Sequence, residues 1–230
     1  MTLRAVVGGT CLADPGFLEE LNPENVKVMD CSIEVYRHGD GFFLPRHGIE
    51  GKTPPHNINH EANLRALKHL GVTEVIGVSS AGSMNREMPP NSLVVPEDFI
   101  SFMPPPTIHH EDCVHITPSF DRDLRQQIID AAAKNGLEVI PAGVYLQTRG
   151  PRLETKAEVR MLREFGDLLG MTMSSEATIA CELDLRYAGL CSVDNWGNGI
   201  KGEVSIDVIK RNACESQERI SALAEAWLWP

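Results

Sequence analysis

No stretch of this 230-residue chain approaches 18 continuous apolar residues, so no segment reads as a membrane-spanning helix. Its first residues, MTLRAVVGGT, lack the basic, apolar and small-residue regions of a signal peptide and run straight into a short buried-strand pattern. The expectation is a soluble, cytoplasmic protein without a membrane partner. Positive charge is scarce, with 21 Lys and Arg against 32 Asp and Glu and a formal net charge of -11. Long-range repulsion then argues against a protein whose business is gripping nucleic acid or anionic lipid. A small anionic substrate stays open, because a few local donors outweigh a global field. Cysteine pairing is also missing: Cys11, Cys31, Cys113, Cys181, Cys191 and Cys214 form no C-x-x-C unit, and free thiols are expected. There is no internal repeat and no low-complexity tract.

What is present is 42% hydrophobic sequence, enough for one sizeable core and one domain over residues 1–230. Apolar, β-branched runs predict strands at Arg4 to Val7, Phe42 to Leu44, Val75 to Ser79, Ser92 to Val95, Val139 to Gln147, Leu168 to Met171 and Tyr187 to Val193. Helical spacing predicts helices over Asn59 to Leu70, ending at Gly71, and over Asp121 to Lys134, ending near Gly136. Thr155 and Glu158 have the spacing of a capping box, so a third helix should begin there and run to about Phe165, leaving Arg152, Leu153 and Glu154 in the loop before it. A last helix is expected from Ser205 to Trp229, and the segment from Pro104 to Cys113 reads as loop. This alternation implies an α/β fold, a mostly parallel or mixed sheet flanked by helices.

Three clusters offer donors to an oxyanion. Val6-Val7-Gly8-Gly9-Thr10 is a strand entering a glycine turn, where backbone N–H groups and a hydroxyl come close to a ligand. It matches neither the P-loop nor the dinucleotide pattern. Arg46-His47-Gly48 follows a strand and supplies a planar guanidinium fork and an imidazole. Ser79-Ser80-Ala81-Gly82-Ser83 follows the most strand-like run in the chain, where open α/β sheets bind ligands. Alone, each of the first two is also an ordinary turn, and the small residues of the third are also simple packing. Glu154 and Asp194-Asn195 are strand-end and loop polar groups able to read the edge of a heterocycle. His56 and His60 have an H-x-x-x-H spacing but straddle a helix start, and no metal site is expected there or at His109 and His110.

In order along nearly the whole chain, Gly8-Gly9-Thr10, Leu44-Pro45-Arg46-His47-Gly48, Pro54-Pro55-His56-Asn57-Ile58-Asn59, Ala62-Asn63, Ser79 to Ser83, Gly150 to Thr155 and Gly170-Met171-Thr172 resemble the trimeric purine nucleoside phosphorylase and methylthioadenosine phosphorylase family. The resemblance implies a single domain with a central mixed sheet, a homotrimer or hexamer, and phosphorolysis of purine nucleosides to free base and sugar 1-phosphate. Inorganic phosphate is the co-substrate and no metal or organic cofactor is implied. Carried over by residue, it implies phosphate among Thr10, Arg46, His47, Ser79, Ser80 and Thr172, the sugar against Met171, the base against Leu153, and His115 reaching a neighbouring subunit's site.

The adenosine-type branch has aspartates at the positions of Asn195 and Gly197 and a small hydroxyl residue at that of Glu154. Here Glu154 matches the N1–H of a 6-oxopurine and Asn195 its O6 or N7, so hypoxanthine or guanine nucleosides are expected. Ile209, with Ile206 nearby, stands where nucleoside-specific relatives place a histidine, which keeps 5'-methylthioinosine beside inosine and guanosine. A methylthioadenosine phosphorylase and a non-catalytic nucleoside-binding protein remain the alternatives. Cys11, His60, Ser175 and the Asp194-Asn195-Trp196 segment depart from the usual family pattern.

Overall fold

The structure, a computed structural model, describes residues 2–12, 21–202 and 204–229. Ten strands form one mixed sheet: β1 (Arg4–Gly8), β2 (Asn22–Val28), β3 (Cys31–His38), β4 (Gly41–Pro45), β5 (Glu74–Ser83), β6 (Leu93–Val94), β7 (Asp98–Ser101), β8 (Val144–Gln147), β9 (Leu168–Gly170) and β10 (Arg186–Trp196). The order is β2-β3-β4-β1-β5-β9-β8-β7, with β10 pairing both β5 and β6. Among the described residues, five α-helices flank it: α1 (His60–His69), α2 (Arg122–Lys134), α3 (Lys156–Leu162), α4 (Met173–Glu182) and α5 (Ile206–Leu228). No described helix is long and apolar enough to cross a membrane.

The continuous apolar runs in the central strands have a physical cause: both sheet faces are covered. Ala5 and Val7 of β1, Phe42 and Leu44 of β4, and Val75 of β5 join a core with Leu64 and Leu67 of α1 and Ile179 of α4. The alternate residues, Val6, Phe43, Ile76 and Val78, join a second core with Leu124 and Ile128 of α2 and Ile220 and Trp227 of α5. A period of two in a strand sends neighbours to opposite faces, so two-sided burial erases the polar alternation.

Helix ends follow the local chemistry. The Asn59 side chain accepts from Ala62 N–H and caps α1, Asp121 caps α2 through Leu124 N–H, and Ser205 caps α5 through Val208 N–H. The expected capping box of Thr155 and Glu158 is formed, but α3 stops at Leu162, short of Phe165. The single strand expected over Val139 to Gln147 is divided. Only Val144–Gln147 is strand, while Ile140 makes an isolated bridge to Val94. Pro141 between them has no N–H to donate, and Gly143 has φ +111°. Residues 104–113 contain no helix or strand, as expected.

Candidate active site

Where β1 ends, β5 continues. Gly8 is paired with Val78, and β5 runs on through Ser79 to Ser83, held by β10 along its whole length. Ser79 and Ser80 therefore lie within β5 beyond the end of β1, and the strand expected to end at Ser79 runs on to Ser83. The chain leaving β1 turns at Gly9, where Leu12 N–H donates to its carbonyl at 2.9 Å. A Cβ on Gly9 would lie 2.5 Å from Arg46 Nη1 and 2.9 Å from the Val78 carbonyl, so only glycine lets the guanidinium reach this point. A cleft of about 800 Å³, its open mouth included, is formed here. Thr10, Arg46, His47, Ser79, Ser80 and Thr172 all line it, together with Leu153, Glu154, Met171, Asn195 and Ile209.

The donors of this cluster are already partly engaged. Buried Arg46 gives Nε–H and Nη2–H to the two carboxylate oxygens of Glu176, at 2.5 and 2.8 Å. Its remaining bonds run from Nη1 to the Val78 carbonyl at 2.7 Å and from Nη2 to the Val7 carbonyl at 3.4 Å. Among the described residues, one of five guanidinium N–H groups, on Nη1, is left for a ligand. Glu176 also accepts from Tyr187 Oη at 2.7 Å. Burial works to raise its carboxyl, but Arg46 outweighs that and holds it below the usual range.

His47 Nδ1 lies 2.7 Å from the Thr53 carbonyl, which can only accept. The ring proton is therefore on Nδ1, and a neutral His47 presents a bare Nε2. Burial, then the adjacent Arg46, pushes its pKa down, which favours that neutral form. Ser79 Oγ and Thr172 Oγ1 are 3.1 Å apart, so that one hydroxyl donates to the other. Ser80 donates to Asp194, whose other carboxylate oxygen takes the Ser192 hydroxyl. Burial lifts the Asp194 pKa to about 6 against the pull of those two bonds. Asp194 faces the interior behind Ser80 and does not line the cleft.

Away from this cluster, the cleft wall changes character. A register shift between Val193 and Asn195 in β10 turns Asn195 toward the cleft and Asp194 away from it. Asn195 Nδ2 donates to the Trp196 carbonyl at 2.8 Å, leaving one N–H and the Oδ1 acceptor without a partner among the described residues. Glu154, buried in the loop before α3, accepts from Thr148 Oγ1 at 2.6 Å, and its main-chain carbonyl accepts from Asn198 Nδ2 at 2.7 Å. Leu153 and Met171 lie on the same wall.

Two expected residues lie elsewhere. Ile206, the first residue of α5 with no preceding turn to cover it, is 55% exposed and outside the cleft; Val204 lines it beside Ile209 instead. His115 is exposed in the loop before α2, its Nε2 3.6 Å from Cys113 Sγ, and takes no part in its own chain's cleft. Exposed His56 and buried His60 are not a pair: His56 sits in a 3-10 turn and His60 begins α1 beside Glu176. Glu176 and Asn198 were not among the candidate residues legible in the sequence. Nothing in its own segment distinguishes Asn198 from a loop residue, whereas Glu176 has a signal, a lone carboxylate in an otherwise uncharged run from Leu168 to Cys181.

Comparison with known proteins adds to this geometry. The sequence profile described as "Phosphorylase superfamily" matches residues 5–228. A "Probable 6-oxopurine nucleoside phosphorylase" of Archaeoglobus fulgidus is 41% identical over 229 residues, covering 96% of this chain and 94% of that protein. An "S-methyl-5'-thioadenosine phosphorylase" of Hyperthermus butylicus is 36% identical over 233 residues, covering 94% and 83%. Among solved structures, methylthioadenosine phosphorylase from Schistosoma mansoni in complex with adenine superposes with a TM-score of 0.87, covering 99% of this chain and 91% of that one. At 21% identity this is a likeness of fold.

Proposed function

This chain belongs to the phosphorylase superfamily, and on that premise we propose that it uses inorganic phosphate to cleave 6-oxopurine nucleosides, releasing the base and a sugar 1-phosphate. One observation carries the reading: Glu154 and Asn195 line the same cleft as the Arg46, His47, Ser79, Ser80 and Thr172 cluster. A base-reading pair and an anion cluster thus share one cavity of nucleoside size. The phosphate is assigned to that cluster with Thr10, and the sugar to Met171 between the two ends.

The chemistry follows from the assignment. The C1'–N9 bond breaks, its electron pair goes to the purine, and a phosphate oxygen forms the new bond to C1'. Asn195, with one N–H and Oδ1 uncommitted among the described residues, donates to O6 or N7 as negative charge grows on the base. Glu154 accepts from N1–H and fixes the base's orientation. The bound phosphate offsets the positive charge on the ribosyl group. Positioning and preorganised electrostatics supply the rate, without a covalent intermediate. No metal or organic cofactor enters the scheme.

Adenine presents an N1 lone pair to Glu154, an unpaired contact that costs on the order of 1–3 kcal/mol. That is the argument for 6-oxopurines over the activity named for the Hyperthermus butylicus relative. Val204 and Ile209 give the 5' end an apolar wall, which suits a 5'-methylthio substituent and keeps 5'-methylthioinosine beside inosine and guanosine. We assign the working form as a cytoplasmic homotrimer, with His115 serving a neighbour.

The test is product analysis with inosine, 5'-methylthioinosine and 5'-methylthioadenosine, each with and without phosphate. Hypoxanthine released only with phosphate is the expected outcome. Adenine as the dominant product overturns the base assignment, and nucleoside binding without any product identifies a non-catalytic binder. Asn195→Ala should lower kcat on inosine about a hundredfold with little change in phosphate KM; an equal loss on adenosine and inosine removes Asn195 from base reading.

A further inference from the structure

Thr148 lies just past the end of β8 and does not line the cleft. Its N–H donates to the Gly170 carbonyl at 2.9 Å, which ties it to the end of β9, next to Met171. Its hydroxyl reaches the other way and donates to Glu154 Oε1 at 2.6 Å. Glu154 has no anchor of its own in a helix or strand. It is held at its main chain by Asn198, from the loop after β10, and at its carboxylate by Thr148. Arg152, on the same loop, is spent on Glu158 at 2.7 and 2.8 Å. No hydrogen bond from a described residue other than Thr148 reaches the Glu154 carboxylate.

We propose that Thr148 is a positioning residue that sets base specificity by holding the Glu154 carboxylate in one rotation, with Oε1 occupied and Oε2 offered to the N1–H of a 6-oxopurine. This rests on the base assignment made above. A glutamate χ3 is a broad, nearly free torsion, so a carboxylate without this partner spreads over many orientations, and its N1–H contact forms only at the cost of ordering it. A hydroxyl suits the task because it satisfies one oxygen, adds no charge, and leaves the other oxygen acceptor-only. A 6-aminopurine has no N1–H for Oε2, so its turnover does not draw on the same alignment.

The experiment measures kcat and KM for inosine, adenosine and phosphate on Thr148→Val, Thr148→Ala, Thr148→Ser and Glu154→Gln, with the Tm of each. Valine keeps the shape and removes the hydroxyl; alanine is the second hydroxyl-free form should valine disturb folding. The expected result is about a tenfold rise in inosine KM in both, with kcat and phosphate KM near the parent values. The ratio of kcat/KM for inosine to that for adenosine should fall by about the same factor, and serine should restore both. If Glu154→Gln collapses that ratio while Thr148→Val leaves inosine KM and the ratio unchanged, the role of Thr148 is overturned and the base assignment stands. If Glu154→Gln leaves the ratio unchanged, the base assignment falls and this proposal with it. Equal losses on inosine, adenosine and phosphate in Thr148→Val, not rescued by serine, mean a structural role and also overturn it.

Discussion

His60 brings an imidazole to the buried start of α1, where Nδ1 has no hydrogen-bond partner among the described residues and lies 3.8 Å from Glu176 Oε1. Burial lowers its pKa to about 4 from 6.5, and Arg46 and His47 push the same way against Glu176. Between those values the unfolded chain binds a proton that the folded chain refuses. Stability contributed by the neutral ring is complete above pH 6.5 and is lost as pH falls toward 4, on the order of 3 kcal/mol in all. Asp194 has the opposite sign: its folded pKa of about 6 lies above its usual 3.8, so it favours folding as pH falls through that window. The native curve sums both, so the informative measurement is the difference between proteins. His60→Gln, neutral throughout, should lose less stability than the parent between pH 6.5 and 4 in urea titrations; an unchanged difference across that range removes His60 as the source. The bare Nε2 of His47 makes a second case. A phosphate seated against it has to supply a P–OH, which sulfate lacks at pH 7. Under the proposed function, arsenate should replace phosphate while sulfate competes about tenfold more weakly; equal competition means that His47 binds protonated.

At the scale of the element, what could be read in advance tracked how each segment is buried. Strands β1, β4, β5 and β10 were legible because two-sided burial writes them as apolar runs, α1, α2 and α5 because each spaces its apolar residues at helical intervals, and α3 because Thr155 and Glu158 form a capping box. Helix α4 was missed: Met173 to Ala180 are all buried, so no polar face marks a helical period. Strands β2 and β3, at one edge of the sheet, were missed for the reverse reason, since Val26 and Val35 are their only fully buried residues. That Thr10, Arg46, His47, Ser79 and Ser80 merit attention was legible from three motifs, but the internal bonds of Arg46 and Ser80 to Glu176 and Asp194 join residues 130 and 114 positions apart. Periodicity within a segment carries no such information. Gly150 belongs to this scale, because it shapes the loop that delivers Leu153 and Glu154. Its φ is +63°, and a Cβ there would come within 2.3 Å of Met171 Sδ. Gly150→Ala should cost on the order of 1–3 kcal/mol in chemical denaturation and raise nucleoside KM more than phosphate KM. Unchanged nucleoside KM would show that Met171 does not bear on the sugar.

The whole molecule carries a net charge of -11, which works against polyanions at long range, while under the proposed function a small anion meets the N–H and O–H groups gathered in one cleft. Its loop before α2 is tied down from outside the cleft: Thr107 Oγ1 and Ile108 N–H donate to Glu182, and His110 Nε2 lies 3.1 Å from Glu61. His115, beyond those ties, is presented to the exterior of its own chain. If it completes a neighbour's site in a trimer, activity becomes a property of the assembly. Trimers of His115→Ala chains then lack the donated imidazole at every site, and trimers of Asn195→Ala chains lack the base contact at every site. Unfolding and refolding the two together lets a chain with Asn195 intact sit beside one with His115 intact. Random assembly restores about a quarter of the sites when each site draws on one neighbour. The expected outcome is therefore that two poorly active proteins regain, on mixing, about a quarter of parental activity, in a particle whose light-scattering mass is three chains or a multiple of three. Activity that stays at the average of the two variants, or a monomeric mass, places His115 outside the site altogether.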